Sequence, residues 1–224
     1  MPASATRRPL GCSRTGIAQK SVDSLQAAGL SAVVRSVDLG PLAVDIAQGL
    51  VTGVPNERVN AAMESLGQAD AVIAATPVYK AGISGLFKSF VDLLDNDLLI
   101  GRPVVLAATG GSERHATIVD DHLRPLFAFL RAVPVPTSLY AAPDDWASAD
   151  LSKRITRAAS ELTLMLQSGV GREMATDNWA GYQHQFGSRA AGAERTVADV
   201  DFDTDLMRLA TGGALPPLPR AHEG

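Results

Sequence analysis

Two stretches of the chain are apolar without alternation: residues 70–76 (DAVIAAT) and 102–109 (RPVVLAAT). A strand covered on both faces reads this way, as strands of a parallel sheet do. Between them, residues 84–94 (SGLFKSFVDLL) set Leu86, Phe90, Leu93 and Leu94 on one stripe, while Lys88, Ser89 and Asp92 fall away from it. That is helical periodicity. Parallel neighbours need such a crossover, and it is right-handed almost always.

The same two rhythms continue outward. Residues 16–30 predict an amphipathic helix with Ile17, Val22, Leu25 and Ala28 near one face and Gly29 as its stop. Residues 31–39 (SAVVRSVDL) have the β-branched content of a strand. Residues 56–68 are helical, with Val59, Met63 and Leu66 recurring and Asn56 as N-cap. Residues 116–133 are apolar at Ile118, Val119, Leu123, Leu126, Phe127 and Leu130, and Pro125 should split them into two helices. Residues 133–141 predict a strand whose two prolines place it at a sheet edge. Residues 150–169 predict a long helix, capped by Asp150 and ended by Gly169. Beyond residue 170 the periodicity fades. Alternating strands and helices give an α/β sandwich with a mostly parallel sheet, one domain over residues 1–170 and an irregular tail over 171–224.

Composition narrows the picture. The chain has 224 residues, 46% of them apolar, enough for one sizeable core. A net charge of −4 argues against nucleic acid as a partner. Arg7, Arg8, Arg14 and Lys20 read as ordinary solvated surface. The single cysteine, Cys12, allows neither a disulfide framework nor a CxxC pair. No apolar run reaches membrane-spanning length, and the start lacks the apolar core of a secretory signal, so a cytoplasmic protein is expected.

In an open parallel sheet, ligands bind beyond the carboxyl ends of the strands. Two similar loops fall there, residues 74–82 (AATPVYKAG) and 107–115 (AATGGSERH). Neither brings paired carboxylates or a Cys–His couple. The GISG at 82–85 is one residue short of a nucleophile elbow. His115 and His122 are too far apart for one metal. What the loops offer is backbone: Gly110 and Gly111 permit close approach, Thr76, Thr109 and Ser112 add hydroxyls, and Tyr79 adds an aromatic edge. A planar heterocycle with polar edges suits such a pair of loops. Pro and Gly also simply make turns, so these residues alone leave the ligand open.

The segments ATPVYKAGISGLFKSFVDLL and GRPVVLAATGGSERHATIVDDHLRPLFAFLRA resemble the NAD(P)H-dependent FMN reductases of the flavodoxin-like superfamily, most of all those that supply reduced flavin to two-component monooxygenases such as the alkanesulfonate systems. The likeness spans residues 17–170. It implies a flavodoxin-like three-layer sandwich with strand order 2-1-3-4-5, FMN across the strand ends, and NAD(P)H as reductant. By resemblance, Thr76, Pro77, Val78, Tyr79 and Lys80 line the isoalloxazine near N5. Thr109, Gly110, Gly111 and Ser112 meet its pyrimidine edge, where N–H donors favour the charge of the reduced ring. His115 opens the next helix beside them. Ser4, Thr6 and Arg7 match the end of the family's phosphate loop, with residues 11–16 (GCSRTG) as an alternative cradle. The family's opening strand has no counterpart here, so a start upstream, a differently closed sheet or poor FMN affinity is expected.

The resemblance further implies a flavin-dependent monooxygenase as partner. It also implies a homodimer or homotetramer formed through the helices that carry Phe87, Phe90, Phe127 and Phe129. Two other readings stay open: a quinone or azo reductase that keeps its flavin, and a truncated, non-catalytic flavin-binding relative.

Overall fold

The computed structural model describes residues 11–176. Helix α1 (Gly11–Ala27) is followed by α2 (Ala43–Thr52) and α3 (Glu57–Gly67), then β1 (Val72–Tyr79), β2 (Gly82–Ile83) and α4 (Gly85–Asp92). Next come β3 (Pro103–Thr109), α5 (Arg124–Phe129), β4 (Val133–Pro134), β5 (Leu139–Ala141), α6 (Ala149–Ser168) and α7 (Val170–Thr176). Strands β1 and β3 lie parallel in register from Val72 opposite Val104 to Pro77 opposite Thr109. Strands β4 and β5 both pair parallel to β3, and β2 folds back antiparallel on the end of β1.

The unbroken apolar run of β3 reflects burial on two faces. Val104, Leu106 and Ala108 join one core with Ile46, Val59, Phe90, Leu123 and Phe127. Val105 and Ala107 join a second with Val135, Leu139, Leu151, Ile155 and Leu162 of the α6 side. Side chains alternate across a strand, so β3 feeds both helical layers. The result is the three-layer arrangement expected. Phe87, Phe90 and Phe127 belong to the first core, with the Phe87 and Phe127 rings 6.4 Å apart, whereas Phe129 is 67% exposed. Three of the four aromatics expected at a subunit contact are therefore spent on packing.

Several local expectations hold for physical reasons. Asn56 caps α3, its side chain accepting from the Val59 N–H at 3.1 Å. Gly169 ends α6 with φ of +71°, the left-handed conformation glycine adopts without strain. Pro125 sits in the first turn of α5, after a π-helical turn over Val119–Leu123. Others need correction. The strand expected at 31–39 does not form; residues 30–38 are irregular, with Val33 89% and Val34 53% exposed. A strand draws its hydrogen bonds from a neighbour, and among the described residues the outer edge of β1 pairs only with β2, at Val78 and Tyr79.

The single strand expected over 133–141 is two short ones. Pro136 has no N–H for the ladder, and the Arg124 guanidinium takes up the Val135 and Pro136 carbonyls instead, at 3.2 and 3.3 Å. Helix α6 is capped by Ser148, whose hydroxyl accepts from the Asp150 N–H, while the Asp150 carboxylate pairs with Lys153. Residues 11–16 form the opening turns of α1. Regular structure also continues past residue 170, through α7 to Thr176. No helix among the described residues is long and apolar enough to cross a membrane.

Candidate functional site

The two loops singled out by sequence come together at the carboxyl edge of the sheet. Pro77 stands directly opposite Thr109 in the β1–β3 register, so the segments after them form adjoining ledges. Strand spacing of about 4.8 Å puts them within the width of one aromatic ring system.

The first ledge runs into a two-residue hairpin. Tyr79 pairs with Gly82, and the turn residues Lys80 and Ala81 carry φ of 49° and 59°. A tight β-hairpin turn of this hand needs left-handed backbone at both positions, normally supplied by Asn-Gly. Lys-Ala here means backbone strain, which concentrates at functional sites. Thr76 does not face outward. It is fully buried, shares the inner face with Val72 and Ala74, accepts from the Ser84 N–H at 3.2 Å and donates to the Pro77 carbonyl at 3.2 Å. Its hydroxyl therefore fastens the hairpin to the start of α4. Pro77 and Val78 are half-buried, Lys80 is exposed, and Tyr79 is 59% exposed at the rim. A mainly apolar groove of about 440 Å³ opens beside this ledge, lined by Leu39, Pro77, Tyr79, Ser84 and Phe87 among others.

The second ledge, Thr109–Ser112, is half-buried at Thr109, Gly110 and Ser112 and exposed at Gly111. The Gly110 N–H donates to the Ala141 carbonyl at 3.2 Å, tying the loop to β5. The Gly111 and Ser112 N–H groups have no acceptor among the described residues, and a Cβ placed on Gly111 would meet nothing within 4 Å. His115 ends a single 3-10 turn, Glu113–His115; its N–H donates to the Ser112 carbonyl at 3.4 Å and the residue is half-exposed. Ser4, Thr6 and Arg7 lie outside the described residues.

One residue at this edge carries no sequence motif. Tyr140, near the end of β5, is 5% exposed and its hydroxyl donates to the Ser112 carbonyl at 2.5 Å. Burial, and then the charge of Asp145, push its pKa above the usual 10.0, so it stays a protonated donor at neutral pH. The only available hint was its place at a third strand end.

A larger groove of about 570 Å³ lies elsewhere, lined by Leu30, Val34, Asp70, Gly101 and Arg102 among others. Asp70, Gly101 and Arg102 precede β1 and β3, so this groove sits toward the amino ends of the strands, away from both ledges. The switch-point rule favours the carboxyl edge. Among the described residues no cluster of His, Cys, Asp or Glu is able to hold a metal ion.

With that geometry in hand, similarity to known proteins points the same way. The model of a family described as NADPH-dependent FMN reductase matches residues 11–147 of the 224. The chain is 43% identical over 131 residues to the NADH-dependent FMN reductase SfnF of Pseudomonas putida, a match covering 58% of this chain and 70% of that one. It is 38% identical over 130 residues to an FMN reductase (NADPH) of Pseudomonas aeruginosa, covering 56% of this chain and 70% of the relative. A solved structure of an oxidoreductase from Corynebacterium diphtheriae superposes with a TM-score of 0.70 at 36% identity, over 73% of this chain and 92% of that one.

Proposed function

The chain belongs to the NADPH-dependent FMN reductase family and is an NAD(P)H:FMN oxidoreductase; from that premise we propose that its two strand-end ledges hold the isoalloxazine of FMN and that the reduced flavin is passed to a flavin-dependent monooxygenase. The observation that carries the placement is the register of Pro77 opposite Thr109. It sets two backbone ledges side by side, which supports one flat ligand lying across both.

The described residues fit the ring system. The Gly111 and Ser112 N–H groups lack acceptors among the described residues, matching a pyrimidine edge that presents carbonyl oxygens and gains negative charge on reduction. FMN, when bound, supplies the redox chemistry by accepting a hydride from the dihydronicotinamide. The chain positions and polarises. N–H donors fixed before reaction stabilise developing charge without reorganising. Pro77 to Lys80 support the ring from the first ledge, and the strained hairpin keeps Tyr79 at the rim of the face where the nicotinamide stacks. Thr76 acts from beneath, by holding Ser84 and Pro77. His115 borders the second ledge, its N–H on the Ser112 carbonyl. The phosphate falls to Ser4, Thr6 and Arg7.

The absence of paired acids and bases from both ledges agrees with this division of labour. A homo-oligomer belongs to the same reading, supported by the exposed ring of Phe129 on α5, and sedimentation of the purified chain tests it. The test of function is steady-state oxidation of NADH and NADPH at varied free FMN. Saturable dependence on added FMN is expected. A rate set only by copurified flavin and insensitive to added FMN would overturn flavin supply.

A further inference from the structure

Resting on that flavin reading, we propose that Tyr140 is a positioning residue for the second ledge: its hydroxyl latches the Ser112 carbonyl, which orients the Glu113 N–H directly and holds in place the loop that carries the Gly111 and Ser112 donors. Gly110 is then a glycine because the latch passes over it.

Three contacts carry the proposal. The Tyr140 hydroxyl donates to the Ser112 carbonyl at 2.5 Å. A Cβ built on Gly110 would lie 2.2 Å from that same hydroxyl oxygen and 3.2 Å from Cζ. The Gly110 N–H is held by the carbonyl of Ala141, the next residue of β5, at 3.2 Å. The loop is thus clamped to one strand at both ends, through Gly110 and through Ser112. No cis peptide is present among the described residues, and in a planar trans peptide C=O and N–H point in opposite directions. Drawing the Ser112 carbonyl toward Tyr140 therefore turns the Glu113 N–H the other way, away from β5. The same carbonyl accepts from the His115 N–H at 3.4 Å, so the latch also seats the first turn after the loop.

The clamp is itself anchored. Asp145 accepts from the Ala142 N–H at 2.8 Å and from Arg154 of α6 at 3.1 Å. Tyr140 pairs with Ala108 in the β3–β5 ladder. The hydroxyl therefore stands on a strand fixed from both sides. The sequence suggests that Gly110 serves close approach of a ligand; in the structure the atom a Cβ would meet belongs to the protein.

The test uses Y140F, G110A and the double variant, all in the full chain. FMN affinity is read by quenching of FMN fluorescence, and the loop by amide exchange of residues 109–115 without FMN. Y140F keeps the ring and loses only the hydrogen bond. It should weaken FMN binding about fivefold, raising KM for FMN more than it lowers kcat, and speed exchange at residues 111–113. G110A should weaken binding more, because its methyl meets the hydroxyl. Adding Y140F to G110A removes that atom and should restore affinity to within about threefold of Y140F alone, a non-additivity expected only of groups in contact. Wild-type affinity and exchange in Y140F would overturn the proposal, whether or not G110A folds. So would a double variant as weak as the product of the singles. Failure of the wild-type chain itself to quench FMN would instead count against the flavin reading on which the latch rests.

Discussion

Replacing Thr76 by valine keeps the shape and β-branching of the side chain and deletes one oxygen. That oxygen accepts from the Ser84 N–H and donates to the Pro77 carbonyl, both at 3.2 Å, in a residue with no exposed surface. Ser84 is 7% exposed, so water cannot replace the lost acceptor readily. A buried donor left without a partner costs about 1–3 kcal/mol. At about 2–4 °C per kcal/mol for a domain of this size, the T76V melting temperature should fall by roughly 2–12 °C. T76S retains the hydroxyl and loses one methyl, worth about 0.8 kcal/mol, so it should melt above T76V.

Thermal denaturation without flavin ranks the three proteins. Amide exchange at Ser84 supplies the local readout, fast in T76V and slow in T76S. FMN binding should weaken only as far as the hairpin loosens. Two results would refute this reasoning. The first is a T76V protein that melts within a degree of the parent and binds FMN as the parent does. The second is a T76V protein that keeps its stability and loses FMN, which would mean that the hydroxyl faces the ligand after all.

Three other outcomes follow from the same contacts. D97N should destabilise the chain by about 3 kcal/mol in urea denaturation, because the Arg131–Asp97 pair is 2.8 Å long with side chains only 19% and 9% exposed. A81G should raise the melting temperature by a degree or two, since φ of 59° at Ala81 is strained and glycine relieves it at a net gain of about 0.5 kcal/mol. Asp120 lies below its usual pKa of 3.8 because Ser138, and then Arg124, hydrogen-bond to its carboxylate. A depressed folded pKa gives stability that is present above the unfolded value and lost as pH falls through the folded one. The stability gap between wild type and D120N should thus be open at pH 7 and close as pH drops below 3.8, measured by denaturation at stepped pH.

What sequence reveals of this fold follows from where a residue's partners lie. Strands β1 and β3 were legible because burial on both faces removes alternation, and α3 was legible because Asn56 and its stripe are local. The strand expected at residues 31–39 failed for the converse reason. SAVVRSVDL has strand composition, but composition supplies no neighbour, and Val33 and Val34 end up in solvent. Helix α2 escaped notice because its apolar residues surround it: Ile46 is buried while Val44 and Val51 are 79% and 88% exposed.

At the site, the two ledges were legible from strand ends and glycines. The direction of Thr76 was legible in principle, because alternation places it with Val72 and Ala74 on the inward face. Tyr140 was not. Its bond to Ser112 spans 28 residues of sequence, and only the β3–β5 pairing brings the two together.

The central claim is that one flat ligand rests on both ledges at once, and amide hydrogen exchange measured with and without FMN tests it most directly. Residues 78–80 and 109–113 should gain protection together, with the same dependence on FMN concentration, while the groove around Val34, Asp70 and Arg102 stays unchanged. Protection confined to that groove, or to one ledge without the other, would contradict it.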